Sequence, residues 1–160
     1  MKLFLTGRPR CGKTTLFLRI IRKLDITPAG FYTEEIREKG MRTGFRIRTF
    51  DGRQGILATI HDVKEHKVGK YYVDLDVLER VAIPALAVDA QLYAIDEIGK
   101  MEMLSERFRN EINRLLNSDK KILATVGRNY LQILPKDGMV FEVTPAKRSE
   151  IEDRVLSLLR

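Results

Sequence analysis

The 160-residue chain has one cysteine, no tryptophan, two histidines and five prolines. A lone Cys11 excludes an intrachain disulfide framework. No run of about 18 apolar residues occurs, so no membrane-spanning helix is expected. The opening Met-Lys-Leu-Phe-Leu-Thr enters a strand pattern directly. It lacks the apolar core and cleavage site of a secretory leader, so a cytoplasmic setting is expected. His61 and His66 have no metal-ligand spacing with Cys11 or with each other and are expected to be structural. Repeats, low-complexity tracts and linkers are also missing, which favours one domain over residues 1–160.

Charge is not lacking. Lys and Arg total 29 against 22 acids, a net charge of +7. Such an excess suits phosphate-bearing partners. The basic residues are spread along the chain, however, and no stacking-aromatic motif accompanies them. Nucleic acid is therefore possible as a partner but not favoured, and a monomer is expected.

Strand and helix patterns alternate at both ends of the chain. Leu3–Leu5 is a short apolar run closed by Gly7, followed by Leu16, Phe17, Ile20, Ile21 and Leu24 at helical spacing. Phe31–Ile36 and Phe45–Phe50 predict an antiparallel hairpin, with Gly55–Ile60 and Tyr71–Val73 as further strands. Val77–Val81 and Ile83–Ala90 predict short helical pieces. Tyr93–Ile95, Ile122–Val126 and Met139–Val143 predict three more buried strands. Between the first two of these, Leu104, Phe108, Ile112, Leu115 and Leu116 mark a helix with Ser105 as its N-cap. Thr144-Pro145 predicts the start of a last helix carrying Ile151, Val155, Leu158 and Leu159. The fold class expected is a mostly parallel α/β sheet flanked by helices, with an inserted antiparallel hairpin or meander.

Between the first strand and first helix lies Gly7-Arg8-Pro9-Arg10-Cys11-Gly12-Lys13-Thr14, followed by Thr15. This is the G-x-x-x-x-G-K-[ST] phosphate loop in its required strand–helix context. Glycines permit a loop whose backbone N–H groups curl around an anion. The following helix presents its positive end to that anion. Lys13 is the point charge for the β/γ-phosphates, and the Thr14 hydroxyl is a candidate Mg²⁺ ligand. Residues Gly7 through Thr15 are thus the candidate nucleotide cradle. Arg10 either projects outward or leans over the triphosphate. The outward position is preferred because a long side chain inside the cradle competes with the ligand.

Tyr93-Ala94-Ile95-Asp96-Glu97 has the Walker B form, apolar residues leading to an acid at a strand's end. Asp96 is the second candidate metal ligand. Its neighbour Glu97 is the candidate base that orients and deprotonates water. Thr125 is the one polar side chain in the strand Ile122–Val126. It is a candidate contact to the γ-phosphate or the lytic water, the alternative being a buried hydroxyl bonded to backbone. Arg10, Arg128 and Arg148 are candidate cations for transition-state charge. Glu34 and Glu35 are expected to pair with Arg46 or Arg48 across the hairpin.

The chain resembles the small P-loop nucleoside-triphosphatases described from thermophiles, also called the cancer-related nucleoside-triphosphatase family. GRPRCGKTT (Gly7–Thr15), GFYTEEIRE (Gly30–Glu38), GFRI (Gly44–Ile47), VGKYYVD (Val68–Asp74), YAIDEIGKMEMLS (Tyr93–Ser105) and LATV (Leu123–Val126) carry the likeness. The Asp-Glu-Ile-Gly-Lys-Met-Glu block is its most specific part. The resemblance implies a RecA-like sheet and slow, Mg²⁺-dependent hydrolysis of several nucleoside triphosphates to diphosphate and phosphate. Lys13, Thr14, Asp96 and Glu97 match the family's loop and Walker B positions. Arg10 departs from it, standing where the family usually has glycine. The rival classes are a nucleotide or small-molecule kinase, which needs an acceptor site, and a nucleotide switch associated with nucleic acid.

Overall fold

The computed structural model describes residues 1–160. The strands are β1 (Lys2–Thr6), β2 (Ala29–Glu38), β3 (Met41–Thr49), β4 (Gln54–Thr59), β5 (His66–Val68), β6 (Tyr71–Val73), β7 (Tyr93–Ile98), β8 (Ile122–Val126) and β9 (Met139–Glu142). The helices are α1 (Lys13–Arg22), α2 (Leu75–Val77), α3 (Ile83–Leu86), α4 (Glu106–Leu116) and α5 (Arg148–Leu159). A π-turn over Leu78–Ala82 joins α2 to α3.

All nine strands share one sheet in the order β5-β6-β4-β3-β2-β7-β8-β1-β9. From β2 to β9 the neighbours are parallel, and from β2 outward to β5 they are antiparallel. The mixed α/β architecture follows from the sequence pattern. β1 and β8 are buried at every position, as central parallel strands covered on both faces must be. The β2–β4 segment is instead only partly buried and pairs through tight turns.

Two apolar cores sit on the two faces. On one, Phe108, Ile112, Leu115 and Leu116 of α4 pack with Phe4, Phe31, Ile95 and Ala124. On the other, Leu16, Phe17, Ile20 and Ile21 of α1 meet Leu3, Leu5 and Leu123, along with Ile151, Val155 and Leu159 of α5. Ser105 caps α4, its hydroxyl accepting from Phe108 N at 3.1 Å and donating to Glu79 at 2.8 Å. No helix is long and apolar enough to cross a membrane.

Several local expectations are corrected. α5 begins at Arg148, not at Thr144-Pro145. The Thr144 hydroxyl accepts from Lys147 N at 3.2 Å, closing a separate turn that delays the helix. Strand β9 is an edge strand with half of its positions exposed, because nothing pairs with its outer side. The helical piece over Ile83–Ala90 stops at Leu86. The short strand β5 is additional, its three residues too few to give an alternation signal. Glu34 does pair with Arg48 at 2.6 Å and Arg46 at 3.4 Å, whereas Glu35 pairs with Arg37 and Arg42.

Strand β2 is ten residues long, and its partner β7 reaches only to Phe31↔Ile95 in register. Residues beyond Phe31 therefore overhang the carboxyl edge of the parallel sheet, where phosphate loops sit. Gly30 allows this crossing. With φ at +124°, it passes so close to β7 that an added Cβ would lie 2.0 Å from Ala94 O. Gly30→Ala is expected to cost about 3 kcal/mol or more, from overpacking and backbone strain together. Thermal denaturation reads this directly, and a melting temperature equal to wild type would refute it.

Candidate functional site

The loop between β1 and α1 is held at both ends. Val143 N donates to Thr6 O at 2.7 Å, tying the end of β9 to the end of β1. Within the loop, Cys11 N donates to Arg8 O at 3.1 Å, and Arg10 takes the left-handed backbone region at φ 64°. A glycine enters that region freely, whereas Arg10 carries strain of about 1–2 kcal/mol there. Gly12 is also left-handed, at φ 92°, and turns the chain into α1. The N-terminus of α1 has no side-chain cap and no acid in its first turn. Its positive end thus faces the cradle without internal neutralisation.

Four elements converge on one carboxylate. Asp96, at 1% exposure, lies near the end of β7. Thr14 of α1 donates to its Oδ1 at 3.1 Å, and Thr125 of β8 donates to the same oxygen at 2.6 Å. Thr33 N of β2 donates to Oδ2 at 3.4 Å. Burial pushes the Asp96 carboxyl up to about 6 and the negative Glu97 beside it adds to the rise, while the Thr125, Thr33 and Thr14 donors pull it down. Thr14 and Asp96, placed apart in the sequence as joint ligands, are therefore adjacent in space. Their hard oxygens are of the kind that would hold a small divalent cation.

Lys13 Nζ lies 3.4 Å from Glu97 Oε2 and 3.4 Å from Gly7 O. The Glu97 side chain is 32% exposed, so water reaches it. Thr125 is fully buried, and its hydroxyl donates to the Asp96 carboxylate, not to backbone. Arg128 is exposed on the turn after β8 and has no ion-pair partner. Arg148 reaches the loop, its guanidinium carbon 3.2 Å from where a Cβ on Gly12 would be. His61 bonds Glu38 at 2.8 Å on the hairpin, far along the sheet order from β1.

Sequence reading missed Thr33 and Glu102. Thr33 acts through its backbone, which no side-chain pattern reports. Glu102, 5% exposed, sits in the turn after β7. A Cβ on Gly99 would lie 2.5 Å from Glu97 Oε1 and 3.0 Å from Glu102 Oε1, so both carboxyls crowd the same side of that glycine. Burial, then the charge of Glu97, pushes Glu102 up to about 8. The native chain therefore holds a proton there that the unfolded chain has lost above 4.5. That contribution to stability is complete at low pH and disappears as pH rises through about 8. Glu102→Gln is expected to raise the melting temperature by several degrees at about pH 9 and to change it little at about pH 5. Equal shifts at both pH values in thermal melts would contradict the assignment.

With this geometry in place, known proteins give a consistent comparison. A family model described as NTPase matches residues 2–156. The chain is 40% identical to nucleoside-triphosphatase THEP1 of Thermotoga sp. (strain RQ2), covering 100% of this chain and 96% of that protein. It is 38% identical to nucleoside-triphosphatase THEP1 of Methanocaldococcus jannaschii, covering 98% and 96%. Among solved structures, THEP1 from the hyperthermophile Aquifex aeolicus superposes with a TM-score of 0.90 at 35% identity, covering 100% of this chain and 99% of that one. The solution structure of a human cancer-related nucleoside triphosphatase gives 0.83 at 33% identity, covering 99% and 97%. Both share the α/β sheet flanked by helices, in agreement with the resemblance carried by the Asp96–Glu102 block. By sequence over its whole length and by fold, the chain belongs to the NTPase family.

Proposed function

We propose that the protein is a Mg²⁺-dependent nucleoside-triphosphate phosphohydrolase, acting as a single-domain monomer in the cytoplasm. It takes ATP, GTP, CTP and UTP with little base selectivity and releases diphosphate and phosphate. The observation that carries this reading is the meeting of Lys13, Thr14, Asp96 and Glu97 at the end of the phosphate loop. The family supports the same reaction, since the relatives above are named nucleoside-triphosphatases.

In this reading the triphosphate tail lies on the amides of Gly7–Thr15, with its terminal group toward β7. Thr14 and Asp96 would hold Mg²⁺, which when bound neutralises charge on the β- and γ-oxygens. Lys13, paired with Glu97 before substrate arrives, shifts its charge to the phosphates. Glu97 is then free to accept a proton from water. The water oxygen bonds to the γ-phosphorus as the bond to the β–γ bridging oxygen breaks. Glu97 returns its proton to the released phosphate. Glu102, held up at about 8, keeps its proton near pH 7 and so adds no further charge beside Glu97. Thr125 and Thr33 keep Asp96 oriented throughout.

Two measurements test this. A phosphate-release screen across the four nucleotides is expected to show turnover with Mg²⁺ and none after chelation, without any acceptor. Turnover appearing only on addition of an acceptor would make the protein a kinase. Glu97→Gln is expected to bind triphosphate normally while losing about 100-fold or more in turnover, and Lys13→Ala to lose tight binding. Near-normal turnover in the Glu97→Gln protein would remove it as the base.

A further inference from the structure

Arg148 stands out among the basic residues. It opens α5, and its guanidinium rests on the phosphate loop. Its Cζ, Nη2 and Nε lie 3.2, 3.3 and 3.5 Å from the position a Cβ on Gly12 would take. The Nε atom is fully buried and has no hydrogen-bond partner. No carboxylate lies within ion-pair distance of it. Glu152, the acid one turn along α5, is already held by Arg19 at 3.0 Å and Lys23 at 2.5 Å. A buried donor left without an acceptor costs free energy, and such a donor against an anion cradle marks a missing acceptor.

The surrounding structure is built to bring this residue there. Val143 is pinned to Thr6, and the Thr144–Lys147 turn spends the next four residues before the helix begins. Arg148 thereby arrives over the loop. Its approach is also one-sided. In the sheet, β9 lies on one flank of β1, and β7 with Asp96 and Glu97 lies on the other, beyond β8. For in-line attack the γ-phosphate faces the acids, so the flank that Arg148 covers belongs to the inner part of the tail.

We propose that Arg148 is a nucleotide-clamping residue that donates to the α- and β-phosphates of bound nucleotide, retaining diphosphate and triphosphate alike. This rests on the reading of residues 7–15 as a triphosphate cradle. A planar guanidinium with several free N–H groups is suited to phosphate oxygens, and a lysine point charge reproduces only part of that. The contact is made equally before and during the reaction, so it sets affinity and not the rate of the chemical step.

The experiment compares wild type, Arg148→Ala and Arg148→Lys. It measures ADP affinity by titration calorimetry, KM and kcat for ATP, and competitive inhibition by inorganic tripolyphosphate. Thermal melts confirm that each variant is folded, and if the alanine variant is not, the lysine variant carries the test. Arg148→Ala is expected to weaken ADP about tenfold and to raise KM for ATP by a similar factor. Its kcat should stay within about threefold, and tripolyphosphate inhibition should weaken in parallel. Arg148→Lys should fall between the two. A drop in kcat with ADP affinity intact would make Arg148 a transition-state cation and overturn the proposal. Weaker ADP with unchanged tripolyphosphate inhibition would move its contact to the nucleoside and overturn it too, as would unchanged behaviour throughout. Wild-type protein that binds ADP but releases no phosphate would sink the hydrolase reading while leaving this test of Arg148 in force.

Discussion

The carboxylate of Asp96 is the point on which the rest of the molecule converges. It receives hydrogen bonds from α1, β8 and β2 while sitting on β7. Those four elements come from residues 14, 33, 96 and 125, which span most of the chain. A buried, desolvated acid at such a junction is costly unless its oxygens are satisfied, and these three donors satisfy them. The same bonds fix the register between the loop helix and the sheet edge. One polar cluster set between two apolar cores thus joins the loop helix to three strands.

The acids around that cluster differ in environment. Asp96 is buried but well bonded, Glu102 is buried and lacks a cation, and Glu97 is open to solvent beside Lys13. Burial raises the first two to different degrees, to about 6 for Asp96 and about 8 for Glu102, so near pH 7 Glu102 keeps its proton while Asp96 remains mostly a carboxylate. The result is a division of labour among three carboxyls within one short segment, Asp96 to Glu102.

Much of this was legible in the sequence. The phosphate loop is local, so its eight residues announced the turn between β1 and α1. Asp96 and Glu97 were legible because a buried strand ending in acids is also a local pattern. Thr125 stood out as the one polar residue of its strand, but its partner Asp96 was not deducible, because a hydroxyl's bond depends on which strand lies alongside. Arg148 was one of three arginines named as candidate cations, and the turn at Thr144 is what places it over Gly12. Thr33 contributes a backbone amide and leaves no trace in residue type. The start of α5 was misjudged for a related reason: a Thr-Pro pair that suits a helix start can equally close a free-standing turn.

The sheet ends in two very short strands, β5 with three residues and β9 with four. An outermost strand presents unpaired amides and carbonyls, which are a template for another polypeptide to lengthen the ladder. Here each rim offers only a few such groups, and Lys67 stands in the middle of one of them. A sheet of nine strands would otherwise be a long adhesive ribbon. Trimmed in this way, each rim offers little ladder for another copy to extend.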